Sequence, residues 1–156
     1  MIDNILSEHQ EVSNFINLYM QYNKKYNKLY PNLVNSRGGA LEEQQALKLK
    51  DNLMAQQEYN KLKDKILNDF VNIPSNHCGA GKRDRLWQDS RFQREILYNK
   101  ENNSLEDFLR IIFQLRCNVI HASKDFDNID IELIRWANTY FGTLLKNINY
   151  FQYVTE

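Results

Sequence analysis

The residues best suited to chemistry lie in one short stretch, Leu115-Arg116-Cys117-Asn118-Val119-Ile120-His121-Ala122-Ser123-Lys124. It sets Arg116, Asn118 and His121 where an apolar run meets a polar turn. Histidine is the one side chain whose ordinary pKa lies near neutrality, so it can both accept and donate a proton. Arginine keeps its charge and forks onto phosphate oxygens. RNA cleavage by the neighbouring 2′-hydroxyl needs both actions, proton transfer and stabilisation of a five-coordinate phosphorus. The same spacing also arises when an arginine rides a wet helix face and a histidine closes the helix C-terminus, where the dipole favours a cation. Residues five apart on a straight helix are separated by about 140° and about 7.5 Å. Arg116 and His121 therefore point apart unless the helix ends or kinks between them.

A second group is Lys82 to Arg94, which holds Lys82, Arg83, Arg85, Arg91 and Arg94 against Asp84 and Asp89, with Trp87 and Phe92 interleaved. Basic residues around aromatic ones can grip an RNA backbone while Trp87 or Phe92 stacks on a base. A solvated helix whose two aromatics pack inward fits the same residues. His77-Cys78 lacks a third orienting group nearby in sequence, and the flanking Gly79 and Gly81 read as a turn. Gly79-Ala80-Gly81-Lys82 has the wrong spacing for a phosphate loop and no strand before it. His9 falls on a polar helix face.

The elements that must position these residues read as helical almost throughout. Ile5, Val12, Phe15, Ile16, Tyr19 and Met20 form one stripe, which Pro31 and Gly38-Gly39 terminate. A second long helix is expected from about Leu41 to Phe70, with Leu47, Met54, Leu62, Ile66 and Phe70 as a sparse apolar face, ended by Pro74. Ser104 with Asp107 three residues on marks a helix start. Leu105, Phe108, Leu109, Ile112 and Leu115 continue as a strong stripe, broken by Lys124 to Asn128. Leu133, Ile134, Ala137, Tyr140, Phe141, Leu144, Leu145 and Ile148 share the face of a last helix. About four main helices with short connections imply an all-α, up-and-down bundle.

Composition bounds the rest. At 156 residues the chain is expected to be one domain, 1–156, large enough to fold without disulfide or metal. Twenty basic and twenty acidic residues cancel, so nucleic-acid or lipid binding must come from a local patch. With 5 Gly and 2 Pro, it has too few turn residues for a β-sandwich or barrel. No apolar run approaches the ~18 residues of a membrane span, and the first residues do not read as a signal peptide. Cys78 and Cys117 form no CxxC pair, and the three histidines stand in unrelated segments, so no metal is expected. A reducing cytoplasm fits, with one disulfide left open.

The segment Phe108 to Leu145 resembles the C-terminal half of the HEPN superfamily, an all-α family marked by Arg, four to six residues, then His. Arg116, Asn118, Val119, Ile120, His121, Ala122 and Lys124 stand at its motif positions, followed by Asp125, Asp127 and a last apolar helix. Cys117 departs from the Asn, Asp or His that many members carry after the Arg, and Ser123 replaces the Tyr of the antitoxin-paired branch. The resemblance implies a metal- and cofactor-free endoribonuclease of phage defence or toxin type. In it Arg116 binds the scissile phosphate, His121 moves a proton, and Asn118 orients His121 or holds a phosphate oxygen. Lys124 joins Lys82, Arg83, Arg85, Arg91, Arg94 and Trp87 as the expected RNA-binding set. It also implies a homodimer whose two motifs face one groove, an antitoxin or defence-system partner, and no DNA or membrane. Inactive members of the family imply the alternative, a module that binds RNA or a protein.

Overall fold

A computed structural model of the chain describes residues 2–37, 39, 41–73, 85–89, 94–121 and 131–151, as backbone alone at 2–7, 85–89, 94–97 and 121. Five α-helices carry the fold: α1 (Ile2–Leu29), α2 (Glu42–Leu47), α3 (Leu53–Val71), α4 (Leu105–His121) and α5 (Ile131–Asn147). A 3₁₀ turn, Lys48–Asp51, links α2 to α3. Two short strands, β1 (Arg85–Asp89) and β2 (Arg94–Leu97), form an antiparallel ribbon between α3 and α4. The class is all-α, as the periodicity predicts. No helix among the described residues is long and apolar enough to cross a membrane.

The seam of α1 is Val12, Phe15, Tyr19, Tyr22 and Tyr26, all buried at alternating spacings of three and four. Ile16 and Met20 were expected on that stripe but lie one position further round, 37% and 64% exposed. Ile5 belongs to the residues described as backbone alone. The helix stops at Leu29, because Pro31 has no N–H and its ring crowds the preceding turn.

The expected helix from Leu41 to Phe70 is broken. Asn52 adopts an extended backbone (φ −81°, ψ 120°), and its side-chain oxygen accepts from the Ala55 N–H at 2.9 Å. A side chain that offers the backbone this alternative caps a new helix rather than continuing an old one. The break lets Ala46, Leu47 and Leu49 turn inward while Leu53 and Met54 stay exposed. Beyond it Ala55, Tyr59, Ile66, Leu67 and Phe70 face the core, with Leu62 half-buried against it. Pro74 lies outside the described residues.

Ser104 and Asp107 form the expected reciprocal cap on α4: the Asp107 N–H reaches Ser104 Oγ at 3.1 Å, and the Ser104 N–H reaches Asp107 Oδ2 at 2.9 Å. α4 is buried almost all round its middle, from Ile111 to Leu115, as suits a central helix. α5 buries its predicted face together with Trp136, whose indole N–H donates to the Ile66 carbonyl at 3.1 Å. After its end at Asn147 the chain turns through Asn149 in the left-handed region (φ 53°), where the Tyr150 N–H closes back on the Leu145 carbonyl at 2.9 Å.

The helices do not alternate as a simple up-and-down bundle would. α5 runs parallel to α1: Asn138 Nδ2 donates to the Glu11 carbonyl at 2.9 Å near one end, and Lys25 Nζ donates to the Tyr150 carbonyl near the other. α3 runs antiparallel to α5, with the Tyr140 hydroxyl donating to Asp69 and Asn147 Nδ2 reaching Glu58 Oε2 at 3.4 Å. Four alternating helices would instead set the first and last antiparallel. The chain leaves α3 at Val71 but enters α4 beside the first half of α3. There the Tyr59 hydroxyl donates to the Asn103 carbonyl at 2.7 Å, and Lys50 pairs with Glu106 at 3.0 Å. Segment 72–104, which holds the ribbon, is therefore a crossover and not a short turn.

Candidate functional site

α4 carries the motif. It continues without a break through Arg116 and on to His121, its last residue. The two positions thus stand about 140° apart around one helix. The side chain of His121 is outside the described atoms, and Lys124 is outside the described residues.

Arg116 is half-buried where α4 passes α1. Its guanidinium carbon stands 5.8 Å from the Tyr19 ring centroid and 5.7 Å from that of Phe113. Burial works against its charge, but a hydrogen bond with the Cys117 side chain, then Tyr19 and Tyr26, outweigh it and hold its pKa above the ordinary value. Other described arginines meet carboxylates: Arg110 pairs with Glu106 at 3.1 Å and Arg135 with Glu132 at 3.0 Å. Among the described residues no carboxylate comes within ion-pair distance of Arg116. This cation is permanently charged, oriented by aromatic rings and not neutralised by them.

Cys117 carries a thiol and packs partly against the core. Asn118 is half-buried, and its Oδ1 accepts from the buried Gln114 amide at 2.8 Å. That bond fixes the Asn118 amide plane one turn before the helix ends. Val119 is buried and Ile120 half-exposed.

The described residues of the second basic group, Arg85–Asp89 and Arg94, lie on the two strands, which overturns the helical alternative at those positions. Leu86 and Trp87 have Ser90 and Arg91 four residues on, so a helix there would have no apolar face to bury. Arg85 and Trp87 stand on β1 and Arg94 on β2, with Arg94 opposite Asp89 and Arg85 opposite Leu97 in the register. An irregularity between Arg85 and Gln88 interrupts the ladder. β2 packs on α4, so the ribbon and the motif share one helix. Lys82, Arg83, Arg91 and Phe92 lie outside the described residues, as do His77, Cys78 and the Gly79-to-Lys82 turn. His9 is exposed on α1.

The sequence reading placed Tyr19 in the core and missed its contact with Arg116. The signal was present as the Tyr19, Tyr22 and Tyr26 spacing, but only packing brings α4 across it. Among the described residues no group of three or more His, Cys, Asp or Glu is placed to hold a metal ion. Comparison with family models, curated proteins and solved structures returns no match.

Proposed function

We propose that this chain is a HEPN-like, metal-independent endoribonuclease acting in defence or as a toxin in the cytoplasm. Support comes above all from Arg116, a half-buried guanidinium without a carboxylate partner among the described residues. A desolvated cation of this kind seeks an anion, and a phosphodiester supplies one in a shape the guanidinium fork fits. His121, five residues further along the same helix, moves the proton. It accepts it from the 2′-hydroxyl or delivers it to the leaving 5′-oxygen. Because the two positions diverge around one helix, a second copy related by a two-fold axis completes the groove. The ribbon residues Arg85, Trp87 and Arg94, with Lys82, Arg83, Arg91 and Lys124, hold the RNA backbone.

The test is RNA cleavage in excess EDTA. Products should carry a 2′,3′-cyclic phosphate and a 5′-hydroxyl. Arg116→Ala and His121→Ala should each remove activity while keeping helical circular dichroism and a cooperative melt. Activity that returns only with Mg²⁺ or Mn²⁺ would sink the mechanism, as would activity unchanged in both variants. The second reading is a module that binds RNA or a protein without cutting, and the bond from Gln114 to Asn118 Oδ1 favours it, since it commits that oxygen to the helix. RNA retained at equal affinity with no cleavage under any condition selects this reading.

A further inference from the structure

A guanidinium that binds a phosphate in the transition state must hold one orientation, since a misplacement of about 1 Å can cost about a hundredfold in rate. Carboxylates usually give an arginine that orientation, and Arg116 has none among the described residues. On its own helix it meets the Phe113 ring and the Cys117 side chain, and the one neighbouring helix to reach its guanidinium with a ring among the described residues is α1, with Tyr19. Tyr19 is 3% exposed and is itself held on two sides. Its ring meets Tyr22 edge-on at 5.7 Å and 70°, and Tyr26 at 6.3 Å and 73°. Its hydroxyl lies 3.3 Å from that of Tyr26, which lies within hydrogen-bond distance of Glu42 Oε2 at 2.6 Å. The Tyr26 hydroxyl also meets Asn23 Oδ1, so its one proton faces two acceptors, and either hydroxyl can donate across the Tyr19–Tyr26 pair. The chain of contacts therefore runs from α2 through α1 to the motif on α4.

We infer that Tyr19 is the positioning residue of the Arg116 site, its ring face holding the guanidinium in one orientation while the edge-on Tyr22 and Tyr26 rings hold the Tyr19 ring in place. Burial pushes the Tyr19 hydroxyl well above its ordinary range, so the ring stays neutral and orients Arg116 without cancelling its charge. The N-terminal helix, to which the motif assigns no role, thereby becomes part of the site. The catalytic consequence rests on the ribonuclease reading; the placement of Arg116 does not.

The test separates the two. In the intact protein, nuclear Overhauser contacts should link the Tyr19 ring protons to the Arg116 side chain, whose resonances should be shifted by the ring. Arg116→Lys assigns those resonances. Tyr19→Leu should move them toward free-arginine values, and Tyr19→Phe should keep them. In RNA cleavage, Tyr19→Leu should lower kcat about tenfold or more with KM little changed, and Tyr19→Phe should recover most of that loss. Absence of the contacts in the intact protein overturns the inference even if Tyr19→Leu does not fold. So do Arg116 resonances unmoved in a folded Tyr19→Leu, or a loss confined to KM. If the intact protein cuts no RNA, the ribonuclease reading fails, and the resonances alone still decide whether Tyr19 places Arg116.

Discussion

Gln114 is 3% exposed, and its amide donates to Asn118 Oδ1 at 2.8 Å. Removing that acceptor leaves a buried donor unpaired, which costs about 1–3 kcal/mol. Asn118→Ala should therefore lower the melting temperature, by about 2–4 °C for each kcal/mol in a chain of this size. Asn118→Asp keeps an acceptor in place and should melt closer to the parent. A full-stability Asn118→Ala protein without cleavage would return Asn118 to a purely chemical role. The same residue thus separates a helix-internal bond from a phosphate contact. Arg116 differs in kind: the neighbours that hold its charge among the described residues are rings and the Cys117 side chain, and no carboxylate.

At the scale of elements, the helix break at Asn52 decides how the first half of the chain reaches the core. The apolar residues before it and after it point in different directions around a single straight helix, and only an interruption buries both sets. Alanine is the best helix former, so in an unbroken helix Asn52→Ala would raise stability. With Asn52 capping α3 through the Ala55 N–H, the substitution should instead cost about 1 kcal/mol. Asn52→Gly should cost only a few tenths. The sign of the change in urea midpoint for Asn52→Ala settles which description holds. The ribbon carries a comparable lesson. Its residues sit in a crossover whose length follows from α3 and α4 starting at the same end of the molecule.

Across the whole molecule, tyrosine does much of the packing. Of nine tyrosines in the chain, Tyr19, Tyr22, Tyr26, Tyr59, Tyr98, Tyr140 and Tyr150 are buried. Burial first, then hydrogen bonding to Asp69, pushes the Tyr140 hydroxyl up to about 12. Burial also raises the other six. A group whose folded pKa lies above its unfolded value holds more protons in the native state, so stability falls as pH rises. The contribution is complete below the ordinary tyrosine value of about 10 and is lost above it. Alkaline unfolding is therefore expected to begin above about pH 10, with tyrosinate absorbance and helical circular dichroism changing together. Independent titration of these tyrosines near that pH with the helices intact would contradict their placement.

Periodicity was enough to read the all-α class, the stripes of α4 and α5, part of that of α1, and the Ser104–Asp107 cap, because each depends on residues within one or two turns of each other. That Arg116, Asn118 and His121 share α4 was legible for the same reason. What periodicity could not give was direction and adjacency. Asn52 reads as an ordinary polar residue in a polar helix until its side chain is seen to take the Ala55 N–H. The parallel course of α1 and α5, and the crossover that follows from it, depend on contacts such as Glu11 with Asn138 and Tyr59 with Asn103. Arg116 and Tyr19 are nearly a hundred residues apart in sequence. Their contact exists only because helix packing closes that distance, and it gives the charge on α4 its orientation.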